Sequence, residues 1–380
     1  MRFLIEPSQD IDYSIAFPYP DRRERGYLVA AVVGQTTEEE ILAQPRQWST
    51  VLQEVSQRFP AFRQWWSALD PREIILTGCG SSYYVALAAM HLLAAGRGVP
   101  CRALPSSEIL LGGDAANGGV RPAVLIAISR SGETTETVWA LEHMKQQGVA
   151  TLALTCHEGG TLSSSSDLSL ALPVVERSVV MTGSFTSMLL ALAVLAADGA
   201  GPGTLDDLAR VGETADLHMA GLAAGARQAA TRVGRSCVFL GSGPLYGLAC
   251  EGALKMTEMA LVPSCAYHTL EYQHGPKAAI SDDLLIVGLL SGQGMRYEER
   301  VLRQAADLGA AVEILGGEVD GLPSLPFGAA PGSVPAMLLA AVWMQLLGLA
   351  AARLRGVDPD APRFLDAVVT WEQVFRGGGR

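Results

Sequence analysis

The sequence predicts an α/β protein built on parallel sheets with helices on both faces. Three observations carry that expectation. Short apolar runs alternate with helical patterns from Glu73 onward, and a strand followed by Gly-x-Gly and an alanine-rich helix occurs twice. Of 380 residues, 49 % are hydrophobic and only 18 % charged, which demands a large interior. The length suits two domains or one large α/β unit. A formal net charge of −11 argues against a protein that coats DNA or RNA, because phosphate backbones need clustered Lys and Arg. A small anion remains compatible, since a few amides and hydroxyls can hold one.

Residues 1–35 read as an N-terminal extension. Phe17-Pro18-Tyr19-Pro20 and the charged run behind it suit an exposed lead-in, and Tyr27 to Val33 a short strand or docking arm. From Thr36 the pattern is helical, with Thr-Thr-Glu-Glu-Glu offering an N-cap and an acidic first turn. A further helix covers Trp48 to Phe59 and ends near Pro60. Glu73 to Thr77 then reads as a buried strand, Gly78-Cys-Gly-Ser-Ser82 as a turn and Tyr83 to Ala95 as a helix. Val124–Ile128 and Thr151–Thr155 are the next strands, with helices at Thr135–Gln147 and Ser184–Ala197. Alternation at this spacing implies a parallel sheet.

The pattern then starts again. Gly199-Ala-Gly-Pro-Gly203 is a breaker, and Thr204 to Thr231 a helix crossing between halves. Ser236–Leu240 is a strand, Gly241-Ser-Gly-Pro-Leu-Tyr246 a turn and Gly247–Met259 a helix. Strands at Leu284–Leu289 and Ala311–Leu315 flank a helix at Tyr297–Leu308, and a long helix at Val334–Arg355 closes the unit. Copies roughly 160 residues apart fit tandem domains rather than a solenoid, with halves at 36–205 and 206–380.

The six cysteines are scattered without a C-x-x-C pair, so reduced thiols in a cytoplasmic protein are expected. The histidines show no ligand spacing, and no metal or cofactor is expected. The N-terminus lacks the apolar run of a signal peptide. Ala336 to Ala352 is interrupted by Gln345 and Gly348 and reads as a buried helix, not a membrane span.

Four segments could carry chemistry. Gly78-Cys-Gly-Ser-Ser-Tyr83 lacks the third glycine of a dinucleotide fingerprint, and no Gly-Lys-Ser/Thr makes it a phosphate-binding Walker loop. It is either a plain capped turn or a turn presenting Ser81 and Ser82 to a ligand. Ser129-Arg-Ser-Gly-Glu-Thr134 packs three hydroxyls and a glycine between a strand and a helix. One serine would suffice as a cap, so the set favours an anion cradle. Glu251, Lys255 and Glu258 share one face of a largely apolar helix, as a surface ion pair or as a retuned proton-transfer group in a crevice. His274-Gly-Pro-Lys277 lies in a loop able to fold back over that helix, its histidine being structural or an acid/base.

Together, in order, these segments resemble the sugar isomerase (SIS) family in its tandem form, as in the isomerase half of glucosamine-6-phosphate synthase. The resemblance covers roughly residues 36 to 372 and takes in Glu40-Ile-Leu-Ala-Gln-Pro45 and Asp358-Pro-Asp-Ala-Pro-Arg363. It implies two tandem SIS domains, each a flavodoxin-like three-layer α/β/α unit. It implies that Ser129, Arg130, Ser131 and Thr134 hold a sugar phosphate and that Ser81 and Ser82 contact sugar hydroxyls. Glu258 is then the base moving a proton between C1 and C2, supported by Lys255 and Glu251. His274 is the ring-opening group, supplied by the neighbouring subunit of a homodimer with a shared active site.

Two departures from the synthase stand out. The chain begins Met1-Arg2-Phe3 without its catalytic cysteine, so glutamine hydrolysis is not expected. Pro362-Arg-Phe-Leu-Asp-Ala367 has alanine where the synthase has lysine. Arg177-Ser-Val-Val-Met-Thr-Gly-Ser-Phe-Thr-Ser187 is closer to the AgaS-like branch. The implied activity is a deaminase or deaminating isomerase of a hexosamine 6-phosphate. A plain ketose–aldose isomerase, a fructosamine-6-phosphate deglycase and a non-catalytic phosphosugar-binding regulator are the alternatives. Neither nucleic acid nor membrane is an expected partner.

Overall fold

The first helix, α1 (Gln35–Leu69), runs unbroken for 35 residues and contains both Pro45 and Pro60. The sequence suggested two helices with a stop near Pro60. An interior proline costs a helix about 3 kcal/mol. Here Ile41, Trp48, Val51, Val55 and Phe62, all 4 % exposed or less, line one continuous face. Burying such side chains contributes about 1.5–3 kcal/mol each, so packing wins. In this computed structural model the described residues are 33–112, 122–197, 208 and 211–371. Most of the Tyr27–Val33 arm, the Gly199–Gly203 breaker and the start of the crossing helix lie outside them.

The start of α1 has no side-chain cap of its own. Instead the Thr36 and Thr37 amides each donate to the Asp360 carboxylate at 2.9 Å, and the Gly34 amide donates to Asp358 at 3.0 Å. These bonds satisfy the amides that a helix N-terminus leaves unpaired.

Sheet one contains β1 (Glu73–Gly78), β2 (Cys101–Pro105), β3 (Ala123–Ile128), β4 (Ala150–Thr155) and β5 (Leu168–Ala171). Its order is β2-β1-β3-β4-β5, every pair parallel. Sheet two contains β6 (Ser236–Leu240), β7 (Ser264–Tyr267), β8 (Leu284–Leu289), β9 (Ala311–Leu315) and β10 (Ser324–Leu325). Its order, β7-β6-β8-β9-β10, repeats the first, again all parallel. Central strands β3 and β8 are buried along their whole length and read from sequence as apolar runs. The edge strands β2, β5, β7 and β10 are mostly half-buried and polar in places, which is why the sequence did not reveal them.

Helices α2 (Ser81–Arg97), α3 (Ser106–Leu111), α4 (Thr135–Gln146), α5 (Thr161–Ser165) and α6 (Gly183–Ala197) accompany sheet one. Helices α7 (Val211–Ala230), α8 (Pro244–Ala260), α9 (Met295–Asp307) and α10 (Val334–Arg355) complete the described set. One hydrophobic core runs from Ile41 to Ala352 through both sheets. Helix α10 is long and apolar enough to cross a membrane, yet 83 % of its most apolar window is buried inside the fold. It is apolar all round because protein surrounds it.

Helices α2 and α8 cross at Gly247, where a β-carbon would meet the Ala88 amide nitrogen at 2.5 Å and the Tyr84 oxygen at 2.7 Å. Only glycine permits that approach, and it brings the two halves into contact at the mouth of sheet one. In each sheet the connection direction reverses between its first and third strands, making a crevice at their carboxyl ends.

Candidate active site

The first sheet's crevice is lined by the loops after β1 and β3. After β1, Gly80 takes φ 53°, ψ −127°, a conformation closed to residues with a β-carbon. This turn starts α2 at Ser81 and leaves Ser81 and Ser82 only 5 % and 4 % exposed. Cys79 beside them is no ready nucleophile, because burial pushes its thiol pKa up.

After β3 the hydroxyls converge. Ser129 Oγ lies 3.0 Å from Thr134 Oγ1 and 3.5 Å from Ser131 Oγ. The Gly132 amide donates to Ser129 Oγ at 3.2 Å and the Glu133 amide to Ser131 Oγ at 3.1 Å. Gly132 sits at φ 70°, bending the loop tightly before α4 begins. Three hydroxyls therefore cluster at the positive end of a helix dipole, an arrangement suited to an anion.

The sequence reading sets Arg130 among the phosphate ligands; in the structure its guanidinium bonds four oxygens of the surrounding chain. One terminal nitrogen bonds Glu176 Oε2 at 3.1 Å and the Ser178 carbonyl at 3.3 Å. The other bonds the Val179 carbonyl at 3.0 Å and the Ala367 carbonyl at 2.9 Å.

The other half of the chain meets Ser81. On α8, Glu251 and Lys255 have side chains 1 % and 0 % exposed, and Glu258 13 %. Glu251 Oε1 accepts from Ser81 Oγ at 3.1 Å and from Lys255 Nζ at 3.1 Å. Lys255 also bonds Glu258, and its Nζ lies 3.4 Å from Ser81 Oγ. Glu251 Oε2 is buried without a hydrogen-bond partner. Burial, reinforced by the Glu258 charge, pushes the Glu251 pKa up to about 7 against the pull of Lys255. Burial also disfavours the Lys255 ammonium, but the two carboxylates outweigh it and hold that pKa above its ordinary value. The alternative of a solvated surface ion pair is thereby excluded for Glu251 and Lys255.

The structure thus joins Ser81, Glu251, Lys255 and Glu258 in one bonded cluster. Ser129, Ser131 and Thr134 form a second cluster on the neighbouring loop. His274 belongs to neither: it is exposed, beside a short 3-10 turn at Glu271–Gln273, and no hydrogen bond or ion pair among the described residues ties it to either cluster. Sequence reasoning missed Glu176, whose side chain is 1 % exposed and whose Oε1 accepts from the Thr182 and Ser184 amides at 2.9 and 2.8 Å. Glu176 directly precedes Arg177–Ser187, and a carboxylate followed by so many hydroxyls is the signal the sequence offers. A cavity of about 400 Å³ lies outside the hydroxyl loop, bordered by Arg130, Ser131, His157, Glu176, Arg177 and Val368.

The SIS domain profile matches residues 69–197, which include both hydroxyl loops. D-galactosamine-6-phosphate deaminase AgaS of Escherichia coli is 31 % identical over 277 residues, 69 % of this chain and 72 % of that protein. This chain belongs to the SIS family. Among solved structures, glucosamine-6-phosphate deaminase from Thermotoga maritima matches with a TM-score of 0.75 at 28 % identity, covering 88 % of this chain and 99 % of that one. Glutamine–fructose-6-phosphate aminotransferase of Pseudomonas aeruginosa is 30 % identical over 332 residues, 79 % of this chain and 52 % of that protein. The chain therefore spans about half the length of that relative.

Proposed function

We propose that the protein is a cofactor-free deaminase and isomerase of a hexosamine 6-phosphate, converting amino-sugar phosphate and water into ketose phosphate and ammonia. The observation that supports this best is the direct bonding of Ser81, on a first-half loop, to Glu251 and Lys255 on a second-half helix. It ties a carboxylate-bearing helix to the loop after β1, whose strand pairs with the strand that leads into the hydroxyl cluster. The named activities of the E. coli and T. maritima relatives point to the same substrate class.

In this reading Ser129, Ser131 and Thr134 hold the phosphate, and Ser81 and Ser82 hold sugar hydroxyls. His274 of a second copy opens the ring in a homodimer. Glu258 removes the proton at C2 and returns it to C1, so the aldosamine passes through an enolamine to an imine at C2. Water adds at C2 and the nitrogen leaves as ammonia. Lys255 bonds Glu258 and orients it for the first step, and Glu251 fixes Lys255. The repeated strand order supports reading residues 36–205 and 206–380 as tandem SIS domains. The free cysteines suit a cytoplasmic setting.

The test is incubation with glucosamine 6-phosphate, galactosamine 6-phosphate and neutral hexose phosphates, with ammonia and ketose measured separately. Ammonia and ketose phosphate in equal amounts are expected. Ketose without ammonia would make the protein a plain isomerase. Tight binding without C1 or C2 hydrogen exchange in heavy water would make it a regulator.

A further inference from the structure

We infer that Arg130 is a positioning residue that straps the C-terminal segment to the anion loop, and not a ligand of the phosphate. The inference rests on reading Ser129, Ser131 and Thr134 as the cradle for a sugar phosphate. Its physical basis is the exhaustion of the guanidinium. Arginine has four hydrogens on its terminal nitrogens, and here Glu176 Oε2 and the Ser178, Val179 and Ala367 carbonyls take all four. Its charge is matched by Glu176, whose side chain is 1 % exposed. Turning the guanidinium onto a phosphate would leave that buried carboxylate without its cation and three carbonyls without a donor.

The partners define what the strap holds. Glu176 Oε1 also receives the amides that open α6, so Arg130 is fixed to the start of that helix. The Ser178 amide and hydroxyl bond Glu40 of α1, which pins the same segment from the other side. Ala367 belongs to the C-terminal segment, and four residues on, the Trp371 amide donates to Thr135 Oγ1 at 3.2 Å. The Trp371 ring meets that of Trp139, centroids 5.6 Å apart. Thr135 and Trp139 are on α4, the helix that the hydroxyl loop opens. The C-terminal segment is therefore fastened at Arg130 and again at α4, one tie on each side of the remaining loop residues. The hydroxyl loop keeps its own ties, Cys156 N to Arg130 O at 3.0 Å and Leu162 N to Gly132 O at 2.9 Å, so loosening the strap releases the segment that borders the cavity at Val368 and leaves the cradle's backbone in place.

Hydrogen exchange of the full-length protein with inorganic phosphate separates strap from ligand. A strap predicts that saturating phosphate leaves amide exchange across 364–371 unchanged or slower. A phosphate ligand would abandon Ala367, and exchange there would speed up; that result overturns the inference in the wild-type chain alone. The Arg130→Lys variant gives a second reading, since lysine can meet phosphate as a point charge but cannot reproduce the four-way fork. The expected result is tenfold or faster exchange across 364–371 and roughly tenfold lower kcat, with the Kd for phosphate within threefold of wild type. Wild-type kcat with the segment still protected, or a tenfold loss of phosphate binding, overturns it. Failure of the wild type to bind phosphate removes the cradle itself, whereas phosphate bound beside a loosened segment removes only the strap.

Discussion

The two switch points share one backbone conformation and carry different side chains. Gly80 has φ 53°, ψ −127° and Gly243 has φ 57°, ψ −128°, so the turns after β1 and β6 coincide. The loops after β3 and β8 share a bond as well: Gly132 N to Ser129 Oγ at 3.2 Å, Gly294 N to Ser291 Oγ at 3.1 Å. The side chains then diverge. Where the first half presents Ser81 and Ser82, the second has Pro244 and Leu245. In the second half Glu298, 1 % exposed, receives the Ser291 amide at 2.7 Å and the Ser291 hydroxyl at 2.9 Å. An internal carboxylate thus takes up the Ser291 hydroxyl, whereas Ser129 Oγ lies among other hydroxyls, 3.0 Å from Thr134 Oγ1.

The helices show the converse. Glu251, Lys255 and Glu258 follow Gly243 at the same intervals at which Ala88, Leu92 and Ala95 follow Gly80. In the proposed reading one copy has the anion loop and an inert helix, the other a filled loop and the titratable helix. A duplicated fold can yield one composite site when each copy loses the complementary half of the chemistry.

The largest test of this division is Glu258→Gln. General-base loss costs about 10²–10⁴ in rate, so kcat should fall by about that factor while phosphate affinity stays within about threefold. Calorimetry with inorganic phosphate alongside turnover would reveal a parallel loss, which would break the division. Next come the loops. Ser129→Ala or Ser131→Ala should raise KM and the phosphate Kd by about 10-fold, the effect of losing a hydrogen bond to a charged group. Ser291→Ala should leave both constants unchanged; a raised KM there would mean that the second switch point also meets substrate. Its effect should fall on stability, about 1–3 kcal/mol in denaturant unfolding, because it strips a bond from the buried Glu298 carboxylate.

The smallest effect concerns pH. The folded-state pKa of Glu251 is raised from the ordinary 4.5 to about 7. A raised carboxyl pKa supports folding fully below about 4.5 and loses that support as pH climbs through about 7. The stability of wild type relative to Glu251→Gln should therefore decline between pH 4.5 and 8, by about 1–3 kcal/mol at a cost of 1.36 kcal/mol per unit. Unfolding both proteins at pH 5 and pH 8 measures it, and a flat difference would show that Lys255 holds Glu251 ionised throughout.

Much of this was legible in the sequence because local constraints write local patterns. The buried central strands are continuous apolar runs, and the hydroxyl loop is compressed into Ser129–Thr134. Glu251, Lys255 and Glu258 showed their common face through helical spacing alone. What stayed hidden depends on partners distant in the chain. Arg130 reads as an anion ligand because its nearest neighbours in sequence are hydroxyls, and nothing local announces its bonds to Glu176 and Ala367. The plug at Ser291 was invisible for the same reason: Glu298 reads as an ordinary acidic residue in the first turn of a helix. Pro60 misled because a local helix breaker was outweighed by burial spread over the whole of α1.

The carboxylate of Asp360 completes the start of a helix laid down more than three hundred positions earlier. The start of that helix therefore stays unsealed on a growing chain until synthesis has passed Asp360, which makes its capping a late event in folding.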